Sequence, residues 1–307
     1  MVERVPLAHV ALALLVTVIW GVAFVATRLA LDDFSPPVLT ALRFLVAALP
    51  TLVLPRPRVS WRALVAVGLT LYTGQFLLQF FGIAAGMPPG LAAIVVQTQA
   101  LFTIVFAALA TGERPSRRQW TGTAVAFGGL AVVASTVGRD LTATGLALTS
   151  LSAVSWGVGN VLVKRLPAVD ALALAVWLSL VPPLPSLALA VLWDGPRAIG
   201  DSWHAASWLG VGAVLYLGLV ATVLAYAIWG YLLRRYPAAT VAPFALLIPF
   251  VAAGAASLAF GERFGTLRIV GMGLVLLGLA VIVARGAARS RAHPAGDPVR
   301  PTRETSA

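Results

Sequence analysis

The chain has 307 residues, 60% of them hydrophobic and only 11% charged, with 22 Lys and Arg against 11 Asp and Glu and no cysteine. A soluble domain carries about 25% charge, so most of this surface must face lipid; disulfides, thiol catalysis and cysteine metal sites are excluded. The net charge of +11 does not make a nucleic-acid binder, because the cations lie between apolar segments and in the tail rather than along one stripe.

A bilayer core of about 30 Å is crossed by about 20 apolar residues in helical form. Ten such segments are predicted, at 8–31, 37–54, 62–86, 89–110, 118–137, 145–163, 171–193, 208–233, 238–260 and 266–285. Their length excludes barrel strands, which run to about ten residues of alternating polarity. The first segment reads as a span rather than a cleaved signal, since nine more follow it.

Polar side chains inside these spans need partners or a wet cavity. In span one, Thr17 lies one turn below Trp20, and Arg28, Asp32 and Asp33 close its far end. Arg43 enters span two six residues after Pro37, roughly 9 Å deep. An ion pair with Asp32 or Asp33 that organises the mouth is its leading reading; binding a substrate carboxylate and snorkelling are the alternatives. Span three carries Tyr72, Gln75 and Gln79 on one face.

Span four holds Gln97, Thr98, Gln99 and Thr103. Gln97 lies about 12 Å into its helix, near the midplane. Amides donate and accept at once, which suits a zwitterionic solute; the competing role is hydrogen-bonded glue between helices. In span six, Ser152, Trp156 and Asn160 share a face, and in span eight so do Thr222, Tyr226 and Trp229. Trp20 and Trp156 lie mid-span, away from the interface where membrane tryptophans gather, and are expected to line a pocket. Tyr226 and Trp229 pack or line an inner mouth.

Glu113 and Glu262 follow glycines at helix ends and read as structural caps or inter-helix ion pairs. Pro50, Pro182, Pro183, Pro185, Pro243 and Pro249 interrupt spans two, seven and nine. Each removes an amide donor, giving either hinges or fixed kinks. The tail, 286–307, is basic, lacks periodicity and is expected to be disordered.

With the N-terminus inside, the inner segments hold sixteen cations and the outer loops four, Arg139, Arg197, Arg263 and Arg268. That asymmetry predicts cytoplasmic termini.

The chain also repeats itself. The block from Met87 aligns without gaps on that from Tyr236 at an offset of 149, setting Gly112-Glu113-Arg114 on Gly261-Glu262-Arg263 and Gly122 on Gly271. At an offset of 136, Trp20-Gly21-Val22 meets Trp156-Gly157-Val158. Residues 8–137 and 145–285 are therefore read as two related five-helix halves, and an odd number of spans per half inverts the second. Inverted repeats are typical of secondary transporters with a midplane site.

The stretches VIWGVAFV, ALRF, GMPPGLAAIVVQTQALFTI, SWGVGN, YLGLVATVLAYAIWGYLLRRY and VAPFALLIPF, with both GER triplets, resemble the drug/metabolite transporter superfamily in its two-EamA-domain branch, from about Ala11 to Arg285. The resemblance implies ten helices around a central cavity and export of amino acids or related metabolites such as O-acetylserine and cysteine. It also implies functional positions at Gln75 and Gln99, and a recurring arginine before phenylalanine at Arg43.

A carrier for drugs or other small metabolites is the alternative within the superfamily; a drug carrier for cations wants a buried acid and a nucleotide carrier several buried cations, and neither pattern is present. An intramembrane enzyme is a distant rival, lacking mid-span Asp, Glu and His. Proton coupling, if used, would rest on a group near a mouth, such as Asp32, Asp33 or Glu113, or on the substrate. No cofactor or metal is expected; the partners are a small-molecule substrate and the lipid bilayer, and a monomer is compatible with such a carrier.

Overall fold

The computed structural model describes residues 5–112, 114–138 and 140–283. Glu113, Arg139 and the tail 286–307 lie outside the described residues, and so do the readings made of them. The described chain is all helical. Eight helices are long and apolar enough to cross a membrane.

The helices, in chain order, are α1 (Leu7–Ala30), α2 (Pro36–Ala48, continued by a 3-10 turn at Leu49–Leu52), α3 (Trp61–Ala84), α4 (Pro89–Gln97 and Gln99–Thr111), α5 (Arg117–Ala134), α6 (Ala143–Lys164), α7 (Ala171–Leu178 and Pro183–Trp193), α8 (Pro196–Ala205), α9 (Trp208–Arg235), α10 (Ala238–Ala245 and Ile248–Phe260) and α11 (Thr266–Val283). A helix stands at each of the ten expected positions, and α8 is a short addition in the loop between α7 and α9. Two helices fall outside the eight: α2 is short, and α5 opens on Arg117 and Arg118.

Local chemistry sets several boundaries. Ser60, Thr142, Asp170 and Ser207 each accept a backbone amide at a helix start, and Ser116 with Gln119 forms a reciprocal capping box. Gly112 and Gly261 end α4 and α10 in the left-handed region, at φ 68° and 67°, where only glycine escapes a Cβ penalty.

Hydrogen bonds between loops define two ends of the bundle. At one, Asp33 accepts from Ser207, Ser35 donates to Asp194, and Glu262 accepts from Gly90. At the other, His9 bonds Tyr236, Arg165 donates to the Ala110 carbonyl, and Trp177 donates to Leu54. We refer to these as the Glu262 end and the His9 end.

Element bounds recur along the chain. Displaced by 149 residues, α5 falls on α11, and the second segment of α4 falls on that of α10. Proline N-caps both α4 and α10, as Pro88 and Pro237. The same displacement relates two π-helical stretches, Gly68–Gly74 in α3 and Tyr216–Leu224 in α9. In them Thr73 and Thr222 donate to carbonyls five residues back, Gly68 and Leu217.

The most extensive helix pair is α5 with α11. Its backbones meet through glycine. A Cβ on Gly122 would lie 2.7 Å from the Gly278 oxygen, and one on Gly129 2.6 Å from the Gly271 oxygen. In lipid, where apolar burial gives helices no drive to associate, such close approach supplies the dispersion that holds them. Gly129→Leu or Gly278→Val should therefore push the pair apart, an overpacking penalty of about 1–3 kcal/mol, seen as a lowered melting temperature in detergent. Gly128→Val and Gly273→Val, whose sites open on free space, should melt like the parent.

Candidate functional site

The interior polar groups gather where helices are broken. α10 stops at Ala245 and restarts at Ile248. Pro249 has no amide hydrogen, so the Ala245 carbonyl four residues earlier receives no helical bond. The Gln97 side chain donates to it at 3.2 Å. Gln97 stands at the corresponding break in α4, beside Thr98. Thr17 on α1 donates to the neighbouring Phe244 carbonyl at 3.0 Å. Two of the predicted residues thus meet at the α10 break.

The π-helical stretch of α9 offers a second spare carbonyl. The Ala225 amide reaches past Ala221 to Val220, and the Trp20 indole donates to the Ala221 oxygen at 2.9 Å. Trp20 also packs against Tyr226 and Trp229, with ring centres 5.5 and 5.2 Å apart. α1 is therefore tied to both broken partners. Trp156 is half-buried on α6 and has no ring contact with Trp20 among the described residues.

Gln99 and Asn160 do meet. The Asn160 amide donates to Gln99 Oε1 at 2.7 Å and to Thr103 Oγ1 at 3.1 Å, joining α6 to α4. Gln75 and Gln79 are buried on α3, where Gln75 donates to Gln79 at 2.6 Å. They satisfy one another in part.

The expected pair between Arg43 and an aspartate does not form. Arg28 pairs with Asp32, and Asp33 accepts from the backbone and hydroxyl of Ser207. Arg43 is 5% exposed and its guanidinium lies 4.1 Å from the Phe76 ring centre, with Phe44 and Phe80 around it. Its one hydrogen bond runs to Thr222 at 3.3 Å, and Nε is buried without a partner. The phenols of Tyr72 and Tyr226 lie near enough to act on its charge electrostatically. The sequence signal for this box was the spacing Tyr72, Phe76, Phe80, one side of α3; attention to amides alone passes over Phe76.

At the Glu262 end, a cavity of about 500 Å³ is bounded by Arg28, Gly86, Asp140, Glu262, Arg263 and Arg268. Arg268 belongs to the first turn of α11 and clamps Asp140 with two hydrogen bonds, of 2.5 and 2.9 Å. This holds the Asp140 carboxyl below its usual range. Glu262 accepts the Gly90 amide at 3.2 Å, at the start of α4, and its other oxygen is buried and unpaired. Among the described residues no group of three or more His, Asp or Glu is placed to hold a metal.

An all-helical chain with eight apolar helices long enough to cross a membrane, and with broken helices tied by polar side chains, fits a multi-pass membrane carrier. Residues 7–135 and 143–284 each match the model of the EamA-like transporter family. This chain belongs to the EamA-like transporter family. It is 38% identical to a probable amino-acid metabolite efflux pump of Salmonella typhimurium, over 93% of this chain and 98% of that protein. It is 37% identical to a probable amino-acid metabolite efflux pump of Escherichia coli, over 89% and 93%. A probable terminal-alkyne amino-acid exporter of Streptantibioticus cattleyicolor is 28% identical, over 91% and 95%. A crystal structure with 19% identity superposes at a TM-score of 0.60 over 94% of this chain and 100% of that one, so the fold is shared. The EamA chain is thus a membrane transporter and not an enzyme.

Burial pushes the Glu262 carboxyl up to about 7, against the Gly90 amide and Arg268, which pull it down; Asp140 adds to the rise. A folded-state value above the ordinary 4.5 means that the native fold holds this proton more tightly than the unfolded chain does. Its contribution therefore favours the fold at low pH and turns against it as pH rises through that window. Glu262→Gln keeps an oxygen for Gly90 without the charge. Melting curves at pH 5 and pH 8 should lie closer together for this variant than for the parent, with the gain at pH 8.

Proposed function

We propose that this chain exports amino acids or closely related metabolites, such as O-acetylserine or cysteine, across the bacterial inner membrane by alternating access. Ten crossings are arranged as two five-helix halves of opposite orientation, 8–137 and 145–285, with both termini and the basic tail 286–307 in the cytoplasm. The solute sits near the midplane, where Thr17, Trp20, Gln97, Gln99, Asn160, Tyr226 and Trp229 converge from both halves. In this orientation the Glu262 end faces outward.

The observation that carries the mechanism is the matched pair of breaks, at Thr98 in α4 and Leu247 in α10, 149 residues apart. Broken helices at corresponding positions of two halves are where transporters bind their cargo. The glycine seam supports the inverted arrangement. Gly122 lies against Gly278 and Gly129 against Gly271, whereas the repeat sets Gly122 on Gly271 and Gly129 on Gly278. Such crossed pairing is what a two-fold axis between α5 and α11 produces. Gly21 likewise meets Val251 and Ala252 while its counterpart Gly157 meets Phe102 and Thr103, each 149 residues earlier. The cargo class rests on the efflux pumps at 37–38% identity, and the direction of the termini on sixteen inner cations against four outer ones.

Counterflow in proteoliposomes tests the cargo. Labelled serine or cysteine should exchange against the same unlabelled amino acid, while a lipophilic cation should not; uptake of the cation alone would remove the amino-acid reading. Gln97→Leu leaves the Ala245 carbonyl unpaired and takes an amide from the site. Serine counterflow should drop about tenfold or more in protein that still elutes as a single species. Unchanged rate and affinity would take Gln97 out of the solute site.

A further inference from the structure

We propose that Arg43 is a binding site for a carboxylate, the anchor that selects the acidic end of the transported solute; this rests on the transport reading above. The starting point is an imbalance. A guanidinium offers five N–H donors, yet this one makes a single hydrogen bond, to Thr222, and its buried Nε has none. No carboxylate faces it among the described residues. Asp32, Asp33 and Asp194 are held at the Glu262 end by Arg28, Ser207 and Ser35, Asp140 by Arg268, and Asp170 by Arg234. Glu262 is held by Gly90, and Asp201 is exposed on α8.

An unpaired cation in a low-dielectric interior is strongly unfavourable, and a counter-charge relieves it. Phe76 covers one face of the guanidinium at 4.1 Å, with Phe44 and Phe80 nearby, which fixes the plane. Its donor edge is left toward Thr222, with the phenols of Tyr72 and Tyr226 alongside. The planar fork matches a carboxylate, which accepts two parallel bonds. One arginine with no second cation suits a monoanion and not a phosphate dianion. Tyr226 in turn packs on Trp20, which places this anchor beside the residues assigned to the solute.

The test uses full-length protein in detergent and L-serine beside L-serinamide, which differ at the carboxylate. Thermal shift should give at least about tenfold tighter binding of the acid, the scale of a charge-assisted pair. Arg43→Gln should bind both alike, and Arg43→Lys should fall between. Equal binding of acid and amide by the parent protein overturns the proposal, and so does an Arg43→Gln protein of unchanged ligand-free melting that still prefers the acid. If Arg43→Gln does not fold, the parent's preference and its reduction in Arg43→Lys decide. If serine does not bind but lactate does so in an Arg43-dependent way, the amino-acid reading fails while the carboxylate site stands.

Discussion

A helix that breaks inside hydrocarbon leaves carbonyls that no solvent can reach, and the protein itself must supply their donors. In this transporter that supply organises the interior. Gln97 fills the gap that Pro249 opens at Ala245, Thr17 takes Phe244, and Trp20 takes the Ala221 oxygen that the π-helical turn skips. Each donor comes from a different helix than its acceptor. The bonds that repair the backbone are also the bonds that hold α1, α4, α9 and α10 together. Moving one of these helices against another would mean breaking such bonds.

The same economy explains how polar groups are distributed. Amides and hydroxyls occupy the interior breaks, while ion pairs stand at the ends, as with Arg28–Asp32, Arg234–Asp170 and Arg268–Asp140. The Arg28–Asp32 and Arg234–Asp170 pairs are exposed and contribute modestly, while Arg268 is buried against Asp140. Arg43 is the exception, a full charge in the interior held mostly by aromatic faces.

Helix positions were legible in the sequence because apolar length is a strong signal, and the offset of 149 read there relates the observed bounds of α5 to α11 and of the second segment of α4 to that of α10. The breaks themselves were less visible. Pro249 marks the α10 break, but Thr98 in α4 has no proline beside it, and the π-helical turns at Gly68–Gly74 and Tyr216–Leu224 follow no local residue pattern. Pairings across the bundle were harder still. Arg43 was read toward the aspartates nearest in sequence, while its partners, Phe76 and Thr222, come from helices that only the folded chain brings near. Trp156 matches Trp20 in the repeat, yet Trp20 packs on Tyr226 and Trp229 while its counterpart has no ring partner among the described residues. Likeness between halves constrains the backbone more tightly than it does the side chains facing the centre.

The glycine seam between α5 and α11 bears on how the protein is made. α5 opens on two arginines and lacks the apolar strength of the eight long helices, so lipid alone holds it poorly. Its neighbour in the bundle is α11, made well after it in chain order. Five helical elements, α6 to α10, are made between α5 and this partner. α11 then packs glycine to glycine against it. A nascent chain that has not passed residue 266 lacks the glycine surface that α5 packs against.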